Sequence, residues 1–214
     1  MLITVIEVCL IINSESTQST VTNIQLTFPK ALAHYVAVQY AASKTIVEFG
    51  TGGSTVLASR MDTTTIYAVE SDKDWLSDVL NEIDAVAGPG TVIPVPVDIG
   101  PTIEWGRPKD LSQIRRFPNY AISPFMKHVT ARSPDTVLID GRFRVACFVA
   151  TLAFIKAKCT IIFDDYLDRE NYHVVERFLV PDHYVDRAAV FQANIGLISP
   201  DEVLEFFDWF FVAH

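Results

Sequence analysis

The chain has 214 residues, of which 50% are hydrophobic, enough to build one sizeable core; domains of ~100–200 residues make a single domain the default. A formal net charge of −9 argues against a nucleic-acid partner, because affinity for a phosphate backbone rests on Lys and Arg displacing condensed counterions. Cys9, Cys147 and Cys159 lie in apolar surroundings, show none of the close spacings of metal sites, and read as reduced core residues of a cytoplasmic protein.

The first thirteen residues are the most apolar stretch, but they include Glu7, lack a basic lead-in and fall short of the ~20 residues that span a bilayer. They read as an N-terminal strand or an oligomer contact, which leaves a homo-oligomer open and a membrane partner out. Residues 14–27 are rich in Ser, Thr, Asn and Gln, as an exposed connector is. Residues 1–27 are therefore expected to form an N-terminal strand or connector, and residues 28–214 the single domain.

From residue 29 to 43, Leu32, Tyr35, Val36 and Tyr40 recur at helical spacing. Strand-like and helix-like runs then alternate over residues 45–49, 54–61, 65–69, 73–86 and 91–97. The strands are continuous apolar runs rather than alternating ones, the pattern of a parallel sheet buried on both faces. After an irregular stretch over residues 99–134, the alternation resumes with a strand at 136–139, a helix at 144–157, a strand at 160–163 and a helix near 172–179. Residues 184–191 and 194–198 read as two strands joined by a short turn, which makes them antiparallel. A helix over 201–212, with Asp201 as its N-cap, closes the chain. The expected fold class is α/β, an open doubly wound Rossmann-like sheet with a C-terminal antiparallel strand pair.

The first strand runs into Gly50-Thr-Gly-Gly-Ser54, where glycines permit a sharp turn and a close ligand approach at a helix N-terminus. The second strand ends on Glu70, 20 residues beyond Gly50, placed to accept ribose hydroxyls. Val47-Glu-Phe-Gly-Thr-Gly-Gly-Ser54 resembles the first motif of class I S-adenosylmethionine-dependent methyltransferases, with Glu70 matching the ribose-binding acid. Ser54 departs from it, standing where a third glycine is common. The resemblance implies a Rossmann-like methyltransferase sheet with S-adenosylmethionine held by Glu48, Gly50, Thr51, Gly52, Gly53, Ser54, Glu70 and Asp98. In that family the acid at Glu48 lies near the methionine ammonium, and the residue at Asp98 near the adenine. It also implies methyl transfer to a small molecule, the alternative being a cofactor-binding, non-catalytic interaction module on the same fold.

Asp140 ends the fourth long strand, and Asp164 and Asp165 end the fifth. The spacing resembles the Mg²⁺ site of catechol-type O-methyltransferases, although Asp165 replaces an asparagine and Phe143 a lysine. Either Asp140, Asp164 and Asp165 hold Mg²⁺, or Asp140 faces the cofactor while one of the other two caps the following helix. Between Arg107 and Arg144 lie eight Lys or Arg against three Asp, an imbalance that fits an anionic small substrate or a solvated loop. Arg142 and Arg144 open a helix whose dipole disfavours cations, so an anion, from substrate or from the aspartates, is expected beside them. Asp140, Arg142 and Arg144 are the catalytic candidates.

Overall fold

The computed structural model describes residues 24–62, 64–129 and 132–213. Helix α1 (Lys30–Ala42) leads into strand β1 (Thr45–Phe49), followed by α2 (Gly53–Ser59), β2 (Thr65–Glu70), α3 (Lys73–Val86) and β3 (Thr91–Pro96). A long connection holds a two-stranded ribbon, β4 (Thr102–Ile103) and β5 (Arg107–Pro108), and helix α4 (Pro118–Ser123). Then come β6 (Thr136–Ile139), α5 (Arg144–Phe154), β7 (Cys159–Phe163), β8 (His183–Val185), β9 (Ala188–Ala193) and α6 (Pro200–Glu205).

Seven strands form one sheet in the order β3-β2-β1-β6-β7-β9-β8. Pairing is parallel from β3 through β7, and β9 runs antiparallel to both its neighbours. Every residue of β1 and β6 is buried, as the unbroken apolar runs require. Alternate residues divide the core. Ile46, Leu138 and Ile162 pack under α1, whereas Val47, Phe49, Val137, Ile139 and Phe163 pack with α5 on the other face. The strand order reverses between β1 and β6, and the carboxyl ends of these strands mark the switch-point crevice at which ligands of such sheets bind.

Helix ends explain several boundaries. Asp72 caps α3 by accepting the N–H groups of Asp74 and Trp75, each at 3.1 Å. Pro29 offers α1 no side-chain cap, and the free N–H of Leu32 donates instead to Asp186 Oδ2 at 2.9 Å, from the β8–β9 turn. The N-cap of the last helix is Ser199, in a capping box with Glu202, not Asp201; Pro200 takes the first helical position, where its missing N–H costs nothing.

The C-terminal antiparallel pair exists, but its bounds differ from the expected ones. The strands are His183–Val185 and Ala188–Ala193, and residues 194–198 form a loop. The turn between them is Asp186-Arg187, with Asp186 left-handed at φ 50°, and it carries no glycine to mark it in the sequence. The segment near 172–179 is a 3₁₀ helix, Glu170–Arg177, and the terminal helix breaks at Phe206, whose ring packs 4.5 Å from that of Phe178. The N-terminal strand or connector expected over residues 1–27 lies outside the described residues as far as residue 23. Among the described residues no helix is long and apolar enough to cross a membrane.

Candidate functional site

The glycine turn after β1 is shaped by close backbone contact. Gly50 has φ +93°, and a Cβ there would stand 2.7 Å from the Cα and N of Gly141, so the loop after β1 lies directly on the loop after β6. A Cβ on Gly141 would in turn stand 2.2 Å from the hydroxyl of Tyr120, which reaches in from α4. Gly53 lies against the backbone of Gln25 and Leu26. Trp75 Nε1 donates to the Thr51 carbonyl at 2.8 Å, and Gly52 N–H donates to Thr55 Oγ1 at 2.9 Å, which fixes the turn from both sides.

Two acids flank this turn. Glu48, wholly buried in β1, accepts a hydrogen bond from Ser54 Oγ on Oε1, whereas its Oε2 has no partner among the described residues. The hydroxyl of Tyr40, buried on the same face of the sheet, also has none. Burial pushes Glu48 up to about 8 despite the hydroxyls of Ser54 and Thr55, with Asp140 and Glu70 adding repulsion. Glu70 is better supplied: Oε2 accepts from the N–H and the hydroxyl of Thr51, both at 3.2 Å, and Oε1 from the N–H groups of Ser71 at 2.7 Å and Asp72 at 3.0 Å.

Beside Glu70 a cleft of about 510 Å³ is lined by residues that include Ser71, Asp72, Asp98, Gly100, Thr102 and Arg116. Asp98 there accepts the N–H of Gly100 at 2.9 Å and pairs with Arg116 at 2.6 Å. Gly106, left-handed at φ +67°, brings the β4–β5 turn onto Glu70, where a Cβ would come within 3.2 Å of Oε1.

Asp140, Asp164 and Asp165 converge, with ligand atoms within 4.8 Å of one another. Guanidinium groups stand among them. Arg144, only 3% exposed, reaches Asp140 at 3.1 Å and Asp165 at 3.3 Å, and also donates to the carbonyls of Gly141 at 2.9 Å, Asp164 at 2.7 Å and Asp140 at 2.8 Å. Arg187 binds Asp164 through both nitrogens and lies 3.0 Å from Asp165 Oδ1; Arg169 lies 2.9 Å from Asp165 Oδ2. Burial, and then Asp164 and Asp165, raise Asp140 above the usual carboxylate range while Arg144 opposes them. The paired guanidinium of Arg187 overcomes burial at Asp164 and lowers it.

Both strand ends carry left-handed residues other than glycine, Phe143 at φ 53° and Asp165 at φ 56°. Phe143 is held by its ring, 5.3 Å from Phe117 and 5.6 Å from Tyr120. Arg142 differs from the other arginines here: it makes no ion pair among the described residues, and its Nε is buried without a hydrogen-bond partner.

The expected site residues thus gather along one edge of the sheet. Asp98 follows β3 and Glu70 ends β2, Glu48 and Gly50–Ser54 belong to β1 and its turn, Asp140, Arg142 and Arg144 follow β6, and Asp164 and Asp165 follow β7. Sequence reasoning did not find Tyr40, Trp75, Arg169 or Arg187 for this edge. Arg187 was hidden because residues 184–191 read as one strand.

No protein-family profile and no curated protein matches the sequence. Among solved structures, a methyltransferase-like protein from Silicibacter pomeroyi is 35% identical, with 88% of this chain and 98% of that chain covered and a TM-score of 0.83. A candidate caffeoyl-CoA O-methyltransferase from Staphylococcus aureus shares the fold at 11% identity, covering 80% of this chain and 86% of that one at a TM-score of 0.53. A methyltransferase from Geobacter sulfurreducens does so at 9%, covering 78% and 81%, with a TM-score of 0.51.

Proposed function

Because this chain belongs to the class I methyltransferase-like proteins, we propose that it binds S-adenosylmethionine and transfers the methyl group to a small molecule carrying negative charge. The buried pair Glu48 and Tyr40 supports cofactor binding most directly. Leaving a polar group desolvated and unpartnered costs ~2–7 kcal/mol on transfer scales, so the buried Glu48 carboxyl, kept protonated near neutral pH, and Tyr40 Oη suit a ligand that brings hydrogen-bond donors and a positive charge as Glu48 ionises. An amino-acid ammonium supplies both. Glu70 would accept the ribose hydroxyls, Gly50, Thr51, Gly52, Gly53 and Ser54 would line the approach, and Asp98 would border the adenine in the cleft.

When bound, the cofactor supplies an electrophilic methyl carbon, whose bond to sulfur breaks as its bond to the acceptor atom forms. The chain aligns the two partners and excludes water. Asp140, raised toward neutrality and held by Arg144, is suited to take the acceptor's proton. Mg²⁺ fits poorly: the three carboxylates that would hold it already face three guanidinium groups. The net charge of −9 favours a small molecule over a nucleic acid.

Incubation with methyl-labelled S-adenosylmethionine and a panel of small carboxylates and phosphates tests turnover. The expected result is acceptor-dependent release of S-adenosylhomocysteine. Tight cofactor binding with no release across a broad panel would favour the non-catalytic interaction module.

A further inference from the structure

We propose that Arg142 receives the negative charge of the acceptor, and that this charge is a carboxylate or phosphate docked beside Tyr120 and Tyr172 at the β6–β7 end of the crevice. The proposal rests on the methyl-transfer reading and names the acceptor's class and its anchor.

Four arginines and three aspartates meet at this edge. Arg144, Arg169 and Arg187 are taken up by Asp140, Asp164 and Asp165, three guanidinium groups against three carboxyl groups. Among the described residues Arg142 is the surplus cation of this group. Its Nε is buried with no partner among the described residues, and it is coupled electrostatically to Arg144, to Tyr120 and Tyr172, and to Asp140, whose Oδ1 is already engaged by Arg144. Removing the Nε of a guanidinium from water beside another guanidinium is unfavourable unless an acceptor meets it, and an anion does so best. Its planar fork suits a carboxylate or phosphate better than any neutral group.

The sheet order assigns this anion to the acceptor rather than to the cofactor. On the proposed reading the cofactor extends from Asp98 after β3, past Glu70 on β2, to Glu48 on β1. Arg142 follows β6, the next strand along, and Tyr172 lies on the segment after β7, farther still from β2.

The test follows arginine Nε–Hε resonances in ¹H–¹⁵N spectra during titration with inorganic phosphate, acetate, or chloride at matched ionic strength, with and without S-adenosylhomocysteine. The Arg142 resonance is identified by its loss in Arg142→Lys. It is expected to move saturably with phosphate or acetate and not with chloride, and Arg142→Gln is expected to bind S-adenosylhomocysteine within twofold of the wild type. No saturable movement, or movement equal to that in chloride, overturns the proposal. A tenfold or greater loss of S-adenosylhomocysteine affinity in Arg142→Gln also overturns it, by giving the guanidinium to the cofactor's own carboxylate. If the wild type binds no S-adenosylhomocysteine, the methyl-transfer reading fails, and the anion titration of the free protein still decides whether Arg142 is an oxyanion site.

Discussion

Arg187 holds both oxygens of Asp164, with Nε 2.9 Å from Oδ1 and Nη2 2.7 Å from Oδ2, so a side chain with no exposed surface is neutralised by one from the β8–β9 turn. Breaking a fully buried pair costs ~3–5 kcal/mol; Arg187 is 36% exposed, so Arg187→Gln is expected to destabilise the protein by about 1–3 kcal/mol, read as a lowered denaturant midpoint. Calorimetric titration of the wild type with Mg²⁺ is expected to give no binding heat. An Arg187→Gln variant as stable as the wild type, or saturable Mg²⁺ binding, would show that the arginines do not fill this cluster.

Glu48, raised from 4.5 to about 8, makes the free protein sensitive to pH. A carboxyl whose native pKa lies above its unfolded value binds more protons in the native state. Its contribution is full below about 4.5 and is lost as pH rises through about 8, on the order of 5 kcal/mol across that window at ~1.4 kcal/mol per unit. Glu48→Gln should flatten this slope in urea titrations and stabilise the free protein at pH 8. In the wild type at pH 7, binding a ligand ammonium should ionise Glu48 and release close to one proton. Calorimetry in buffers of different ionisation enthalpy measures that release, and an equal value in Glu48→Gln would assign it elsewhere.

How much of this was legible in the sequence follows from range. Parallel strands buried on both faces are continuous apolar runs, so β1, β2, β6 and β7 could be read off within a residue or two; β3, a largely exposed edge strand, was legible from its β-branched residues instead. The Gly50 turn and Glu70 were visible because their geometry is local. The pairing of Arg187 with Asp164 spans 23 residues and depends on a two-residue turn without glycine, and the contact between Gly50 and Gly141 depends on sheet order; neither has a local signature. Arg142 and Arg144, alike in sequence, are separated only by where their guanidinium groups find partners.

The contact between the two loops predicts a steep response to one methyl group. Gly50→Ala would place Cβ 2.7 Å from Gly141 in a conformation at φ +93° that L side chains rarely adopt, with a cost of about 1–3 kcal/mol in stability. Gly196→Ala is the control: φ is +77° there but nothing lies within 4 Å, so only the backbone penalty applies. Equal losses in the two variants, measured by thermal unfolding, would mean that the loop contact adds nothing.

Glu70→Ala removes the acceptor shared by Thr51, Ser71 and Asp72 and, on the proposed reading, by the ribose. S-adenosylhomocysteine affinity is expected to fall by about 1–3 kcal/mol, roughly 5- to 150-fold. An unchanged dissociation constant would move the ribose away from β2.

The most direct test is titration of the wild-type chain with S-adenosylhomocysteine, followed by calorimetry and by thermal unfolding. Selective binding to the native state at 100 times the dissociation constant stabilises by ~2.7 kcal/mol, so saturable heat and a melting temperature raised by several degrees are expected. No heat and no shift at millimolar ligand would contradict the assignment of this crevice to S-adenosylmethionine.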